Sequence, residues 1–200
     1  MPLTRNAALV APYAAWMALM AFLPATAGAY ALRGGVTAAL LAVSFVMLRG
    51  RDERMLKPSA CGWKGLGAGL LVGLAVLLVW IAPEMWLGFG SPVAAADSPY
   101  APEVCGWSLT IAKIAASAFV ISIAEELFFR VWMVEFAGFW WMVALFAVEH
   151  GSRWHVGALT GVVYGLLARR FGVWAAVVAH MTTNLTLGLL VVLDNRWQFW

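Results

Sequence analysis

The chain has 200 residues, 64% of them hydrophobic and 12% charged, with a mean hydropathy of +0.85. A soluble domain is roughly half apolar and about a quarter charged, so this composition places the chain in a bilayer. At about 20 apolar residues per crossing it has room for about six to eight helices and short loops, and none for a separate soluble domain. The net charge of +3 has no basic face to go with it, which excludes nucleic acid as a partner.

The 13 basic and 10 acidic residues leave charge-free intervals at 6–32, 34–48, 65–83, 114–124, 136–148, 154–168 and 171–193. These predict an all-α polytopic membrane bundle of about seven helices. The first interval is too long for a signal-peptide core and reads as a retained anchor. Between the second and third lie Arg49, Arg51, Arg54, Lys57 and Lys64, the lysine and arginine excess expected of a cytoplasmic loop. Two crossings precede that loop, so the N-terminus with Arg5 is expected in the cytoplasm, as is the Arg169-Arg170 turn. Residues 84–103 carry Glu84, Asp97 and Glu103 and no base, an outer loop. Its Pro83, Gly88, Gly90, Pro92, Pro99 and Pro102 predict irregular backbone with a short interfacial helix around Trp86. Cys61 and Cys105 fall on opposite sides and are not expected to pair. Two glycine ladders, Gly65-Gly69-Gly73 and Gly157-Gly161-Gly165, are small-xxx-small patterns that let neighbouring helices approach closely. The chain is thus expected to divide into residues 1–107, a three-helix membrane part with its outer loop, and residues 108–200, which carry the polar groups at membrane depth.

A carboxylate inside a membrane helix costs on the order of 2.5–3.5 kcal/mol on insertion scales, and Glu125 and Glu126 are adjacent. Glu126 and Arg130 are four apart and share a helix face as an ion pair; Glu125 points about 100° away and stays available. The simpler explanation is a charged helix end reaching for the interface. Two further groups weigh against it. His150 ends the 136–148 segment, with Phe146 four residues before it, and His180 and Asn184 share one face of the last helix. Glu149 points away from His150 on a helix and is a second choice; His155, beside Arg153, is expected at the interface; and Lys113 is expected to snorkel outward. For His150 to reach the depth of Glu125 the chain must bend. Residues 131–139 are expected along the interface, with 140–150 entering part-way.

Together these side chains could hydrolyse an amide. Glu125 would act as general base on water with His150 sharing the proton, while His180 and Asn184 supply donors for an oxyanion. The same atoms allow a second arrangement, in which Glu125, His150 and His180 hold Zn2+ with an open position. The residues alone leave the metal open. A proton-coupled carrier would also use buried Glu and His groups, although no repeated half with matching broken helices is visible.

The pattern Glu125-Glu126-x-x-x-Arg130, Phe146-x-x-x-His150 and His180-x-x-x-Asn184 resembles, in order, the three motifs of the CPBP intramembrane proteases, the type II CAAX prenyl endopeptidase or ABI family. The resemblance covers about residues 108–190. It implies an intramembrane endopeptidase in which Glu125 and His150 activate water, His180 and Asn184 stabilise the oxyanion, and Glu126, Arg130 and Phe146 support the site. It also implies a membrane-anchored or lipidated peptide substrate and a prokaryotic plasma membrane, and the charge-based topology, which puts Glu125 at the cytoplasmic end of the fourth helix, predicts cleavage near the cytoplasmic face. The short loops resemble the exosortase-associated subgroup. A non-catalytic protein of the same fold, an immunity or sorting partner, would keep the motifs for structure.

Overall fold

A computed structural model describes residues 3–49, 57–85 and 93–200. Trp86, around which an interfacial helix is expected, and Arg51 and Arg54 of the basic loop lie outside the described residues. Among those described there is no strand. Seven main helices follow one another: α1 (Leu3–Phe22), α2 (Ala27–Leu48), α3 (Gly62–Met85), α4 (Trp107–Ala137), α5 (Phe139–Glu149), α6 (Trp154–Phe171) and α7 (Val173–Leu193). The fold is an all-α membrane bundle. Ala27–Leu48, Gly62–Pro83, Trp107–Ala137 and Val173–Leu193 are each long and apolar enough to cross a bilayer, while Phe139–Glu149 is apolar but short.

Two boundaries differ from those drawn at the charges. The first turn falls at 23–26, where Pro24 interrupts the helix and Thr26 caps α2 by accepting from the Ala29 amide at 3.3 Å. Arg33, which had seemed to separate two segments, is buried inside α2. Residues 131–137, expected along the interface, do not form a separate segment either. They continue α4 to a length of 31 residues, with Val131 and Met133 buried. The charges within α4 are accommodated by packing and pairing, so a charge-free stretch underestimates the length of the helix.

The bend occurs at Gly138, whose φ of +91° is a conformation that a side chain disfavours. One residue there reverses the chain into α5, and Gly172 (φ +93°) does the same between α6 and α7.

Both glycine ladders are packing faces. A Cβ on Gly69 or Gly73 would come within 2.7 Å of the Ala175 carbonyl oxygen or 2.4 Å of the Ala179 carbonyl oxygen, so α3 lies with its backbone against α7. The second ladder brings α6 onto α5: Gly157 meets His150, Gly161 meets Val143 and Phe146, and Gly165 meets Phe139 and Met142. Lipid is as apolar as leucine, so helices associate through this close fit and through polar contacts.

The ends of the bundle are chemically distinct. Arg5, Cys61, Glu135, Arg169 and Arg170 surround one cavity of about 680 Å3, and Arg5 holds Glu135 at 2.7 Å. Trp63, Trp140 and Trp141 stand exposed on the helices that begin near this end, while Trp107 and Trp154 do so on helices that begin at the other, an arrangement typical of aromatic belts at two interfaces. Cys61 is buried at the basic end, and Cys105, beside Thr110, is at the opposite one, and no disulfide joins them.

Candidate active site

The two acids of α4 have different surroundings. Glu126 is fully buried; one carboxylate oxygen lies 3.0 Å from Arg130 Nε and the other 3.0 Å from His180 Nδ1. Arg130 is further held by Met142 Sδ at 3.0 Å and by the Phe146 ring, 4.2 Å from its guanidinium carbon. With Nδ1 committed to Glu126, His180 turns Nε2 toward Glu125, 3.8 Å away. Four sequence-predicted residues, Glu125, Glu126, Arg130 and His180, are therefore in one cluster. Phe146 is the wall they share with His150: its ring centroid is 4.6 Å from that of His150 and 6.4 Å from that of His180.

His150 caps α5 rather than extending it (φ −82°, ψ 4°). Its Nδ1 is 2.6 Å from the Phe146 carbonyl oxygen and its ring packs on Trp80. Glu149, the last residue of the helix, points away from His150 and toward α4 and α1. Glu149 lies beside Glu125 and accepts a hydrogen bond from the Tyr13 hydroxyl of α1. Tyr13 packs against the Phe128 and Phe129 rings of α4.

Asn184 is anchored by the shape of α4. The helix widens into π turns at Ala116–Ile121 and Leu127–Met133, features that often accompany functional sites. In the first, the Ser117 carbonyl accepts from Ser122 Oγ at 3.2 Å and from Asn184 Nδ2 at 3.0 Å; Nδ2 also lies 3.3 Å from Ser122 Oγ. One residue earlier on α7, Thr183 donates to the Gly73 carbonyl at 2.7 Å and meets the Tyr164 hydroxyl at 2.6 Å, while the Tyr164 ring flanks His180.

Glu125 and Asn184 line a cavity of about 470 Å3 together with Ser117, Tyr30, Arg33 and Lys113. Leu23, Ala25, Tyr100 and Trp200 complete it, so it runs toward the end of the bundle away from Arg5 and Arg170. Lys113 is buried rather than snorkelling. Among the described residues, no group of three His, Cys, Asp or Glu side chains has the geometry to hold a metal ion. Glu125, His150 and His180 do not converge as zinc ligands.

Sequence reasoning missed Tyr13, the Glu149 contact, Arg33 and Lys113. Arg33 carried a signal, since it is the lone charge between residues 6 and 48. Tyr13 carried none beyond its hydroxyl in an apolar run.

The family model described as type II CAAX prenyl endopeptidase Rce1-like matches residues 107–186. No curated protein and no solved structure matches the chain. At the level of the family, the match supports an intramembrane protease acting on membrane-associated protein substrates. Residues 107–186, the stretch that holds all three motifs, are thus similar to the type II CAAX prenyl endopeptidase Rce1-like family.

Proposed function

We propose that the protein is an intramembrane endopeptidase that hydrolyses a peptide bond of a membrane-anchored or lipidated substrate, with residues 108–200 as its catalytic part. One observation carries this reading: Glu125 and Asn184 share a cavity while His180, pinned through Nδ1 by buried Glu126, directs Nε2 toward Glu125. Glu125 takes a proton from water as the water oxygen attacks the scissile carbonyl, and Glu149 beside it, together with His150, provides a route for that proton to the leaving nitrogen. His180 and Asn184 face the developing oxyanion. Asn184 exchanges its longer contact, the 3.3 Å one to Ser122 Oγ, for that oxygen and keeps the Ser117 carbonyl as its anchor. Glu126 and Arg130 hold His180 and the α4–α5 packing in place.

The test uses purified protein in detergent with a membrane-anchored peptide substrate. General acid–base groups are worth about 10²–10⁴ in rate, so Glu125→Gln and His180→Ala should each lose at least about 100-fold in kcat with the fold intact. Unchanged cleavage in both would remove these residues from the chemistry. Chelator-treated protein should cleave as the untreated protein does; recovery only on adding back Zn2+ would require a metal. Proton flux in liposomes without any cleavage would favour a carrier.

A further inference from the structure

The cavity of about 680 Å3 at the basic end shares no lining residue with that of Glu125 and Asn184. Four arginines reach its wall: Arg5 of α1, Arg130 of α4, and Arg169 and Arg170 in the last turn of α6. Two of them are neutralised. Arg5 grips Glu135, the one acid on this wall, through both terminal nitrogens at 2.7 and 3.1 Å, and Arg130 is held by Glu126 at 3.0 Å. Arg169 and Arg170 have no carboxylate within ion-pair distance among the described residues. Their guanidinium carbons lie instead 4.1 Å from the ring centroid of Phe139 and 4.9 Å from that of Phe171, and both rings border the cavity. A guanidinium stacked on a ring spends its face there and keeps the N–H donors of its edge for an oxyanion. The wall thus carries two positive charges that none of its acids balances.

We infer that this cavity binds the headgroup of an anionic phospholipid from the adjoining leaflet, with Arg169 and Arg170 on the phosphate oxygens. Three observations point to a lipid. The charge is complementary, and basic pockets between membrane helices on the cytoplasmic side take up anionic headgroups. The remaining wall is apolar: Val131 and Val134 of α4 and Val173 and Trp174 of α7 line it, which suits the glycerol end and the start of an acyl chain. The depth is that of a membrane interface. Trp63 follows the lining residue Cys61 by two positions and Trp140 follows the lining residue Phe139, and both tryptophans are exposed as in an aromatic belt. A soluble phosphate would engage the arginines but leave the apolar wall wet, and a zwitterionic lipid would bring a cation of its own to a site already positive. The lipid would bind whether or not the protein cleaves peptides. It would touch α4, α6 and the start of α7 together, so a ligand of the folded bundle should stabilise it by mass action.

The experiment titrates the delipidated full chain in detergent with phosphatidylglycerol and with phosphatidylcholine of the same acyl chains, reading bound lipid by native mass spectrometry and the melting temperature alongside. With about 1 kcal/mol from each arginine, phosphatidylglycerol should bind about ten-fold tighter or more and raise the melting temperature, which phosphatidylcholine should leave unchanged. Arg169→Gln combined with Arg170→Gln should remove the preference by weakening phosphatidylglycerol alone. Arg196→Gln, at the other end of the bundle and paired with Asp194 at 2.8 Å, should retain it. Val134→Trp, which fills the apolar part and leaves both arginines in place, should weaken phosphatidylglycerol as well. Equal binding of the two lipids by the unmodified protein overturns the site, and needs no variant to fold. A preference that survives the double glutamine variant overturns the assignment to Arg169 and Arg170, and one untouched by Val134→Trp puts the lipid on the protein surface and not in the cavity. Glycerophosphoglycerol, the deacylated headgroup, and inorganic phosphate should bind far more weakly than the lipid. If either binds as tightly and displaces it, the cavity is a site for a soluble anion and the inference is wrong.

Discussion

A single hydroxyl ties the N-terminal helix to the acids of the site. Tyr13 donates to Glu149, and Glu149 lies beside Glu125, yet Tyr13 lies far outside the matched residues 107–186. It touches no reacting atom and is a positioning residue. A buried acceptor that loses its donor costs about 1–3 kcal/mol, and the ring contacts with Phe128 and Phe129 survive in phenylalanine. Tyr13→Phe is therefore expected to keep the fold, leave KM near the wild-type value and lower kcat by about ten-fold, a loss of ~1.4 kcal/mol of transition-state stabilisation. Steady-state kinetics on the purified variant checks this, and an effect on KM alone would move Tyr13 from positioning the acids to binding substrate. The adjacent pair behaves differently. Glu126 sits between Arg130 and His180 with no exposed surface, so its replacement strands a buried guanidinium as well as freeing His180.

Among the elements, α7 is the one on which the site depends most. It carries His180, Thr183 and Asn184, and each is fixed by a different neighbour: Glu126 of α4, the Gly73 carbonyl of α3 and the Ser117 carbonyl of the π turn. The approach of α3 to α7 is possible only without side chains at Gly69 and Gly73, since a Cβ on Gly73 would stand 2.7 Å from Thr182 Cβ as well as against the Ala179 backbone. Forcing extra volume into such a contact typically costs about 1–3 kcal/mol. Gly73→Leu should lower the melting temperature in detergent and reduce activity together, because it displaces the turn that carries His180. Gly67→Leu, on the same helix with nothing within 4 Å of its Cβ position, should do neither. Equal behaviour of the two variants would show that the α3–α7 contact does not position the site.

For the molecule as a whole, the distribution of charge sets which end faces the cytoplasm. The basic residues at one end, including Arg5, Lys57, Arg169 and Arg170, predict that end to be cytoplasmic. The cavity of Glu125 and Asn184 runs to the opposite end, so in this orientation the substrate enters from the outer side rather than the cytoplasmic one. Phe22 and Trp63, 87% and 79% exposed, belong to opposite ends. In a background with Cys61 and Cys105 replaced by serine, Phe22→Cys should react with an impermeant thiol reagent on intact cells and Trp63→Cys only after permeabilisation. The reverse pattern would turn the molecule over and put the cavity on the cytoplasmic side.

The scarcity of charge, the two glycine ladders and the three motifs were all legible in the linear chain. Each is a local property: mean hydropathy selects the bilayer, a four-residue spacing selects one helix face, and His180 and Asn184 or Glu126 and Arg130 therefore come together in any helical fold. Helix boundaries drawn at charges were less reliable at Arg33 and along α4, because a charge that finds a ring or a partner can lie inside a helix as well as at its end. The turn at Gly138 and the end of α5 at Glu149 are local too, but their consequence is not: the turn folds α5 back on α4, which sets Glu149 beside Glu125, and the helix end leaves His150 on the Phe146 carbonyl. That Tyr13, Glu149 and Glu125 meet, and that Arg33 and Lys113 share a cavity with Glu125, depends on residues up to 136 positions apart in sequence. No spacing rule connects them, since their proximity is set by which helix packs on which and at what depth.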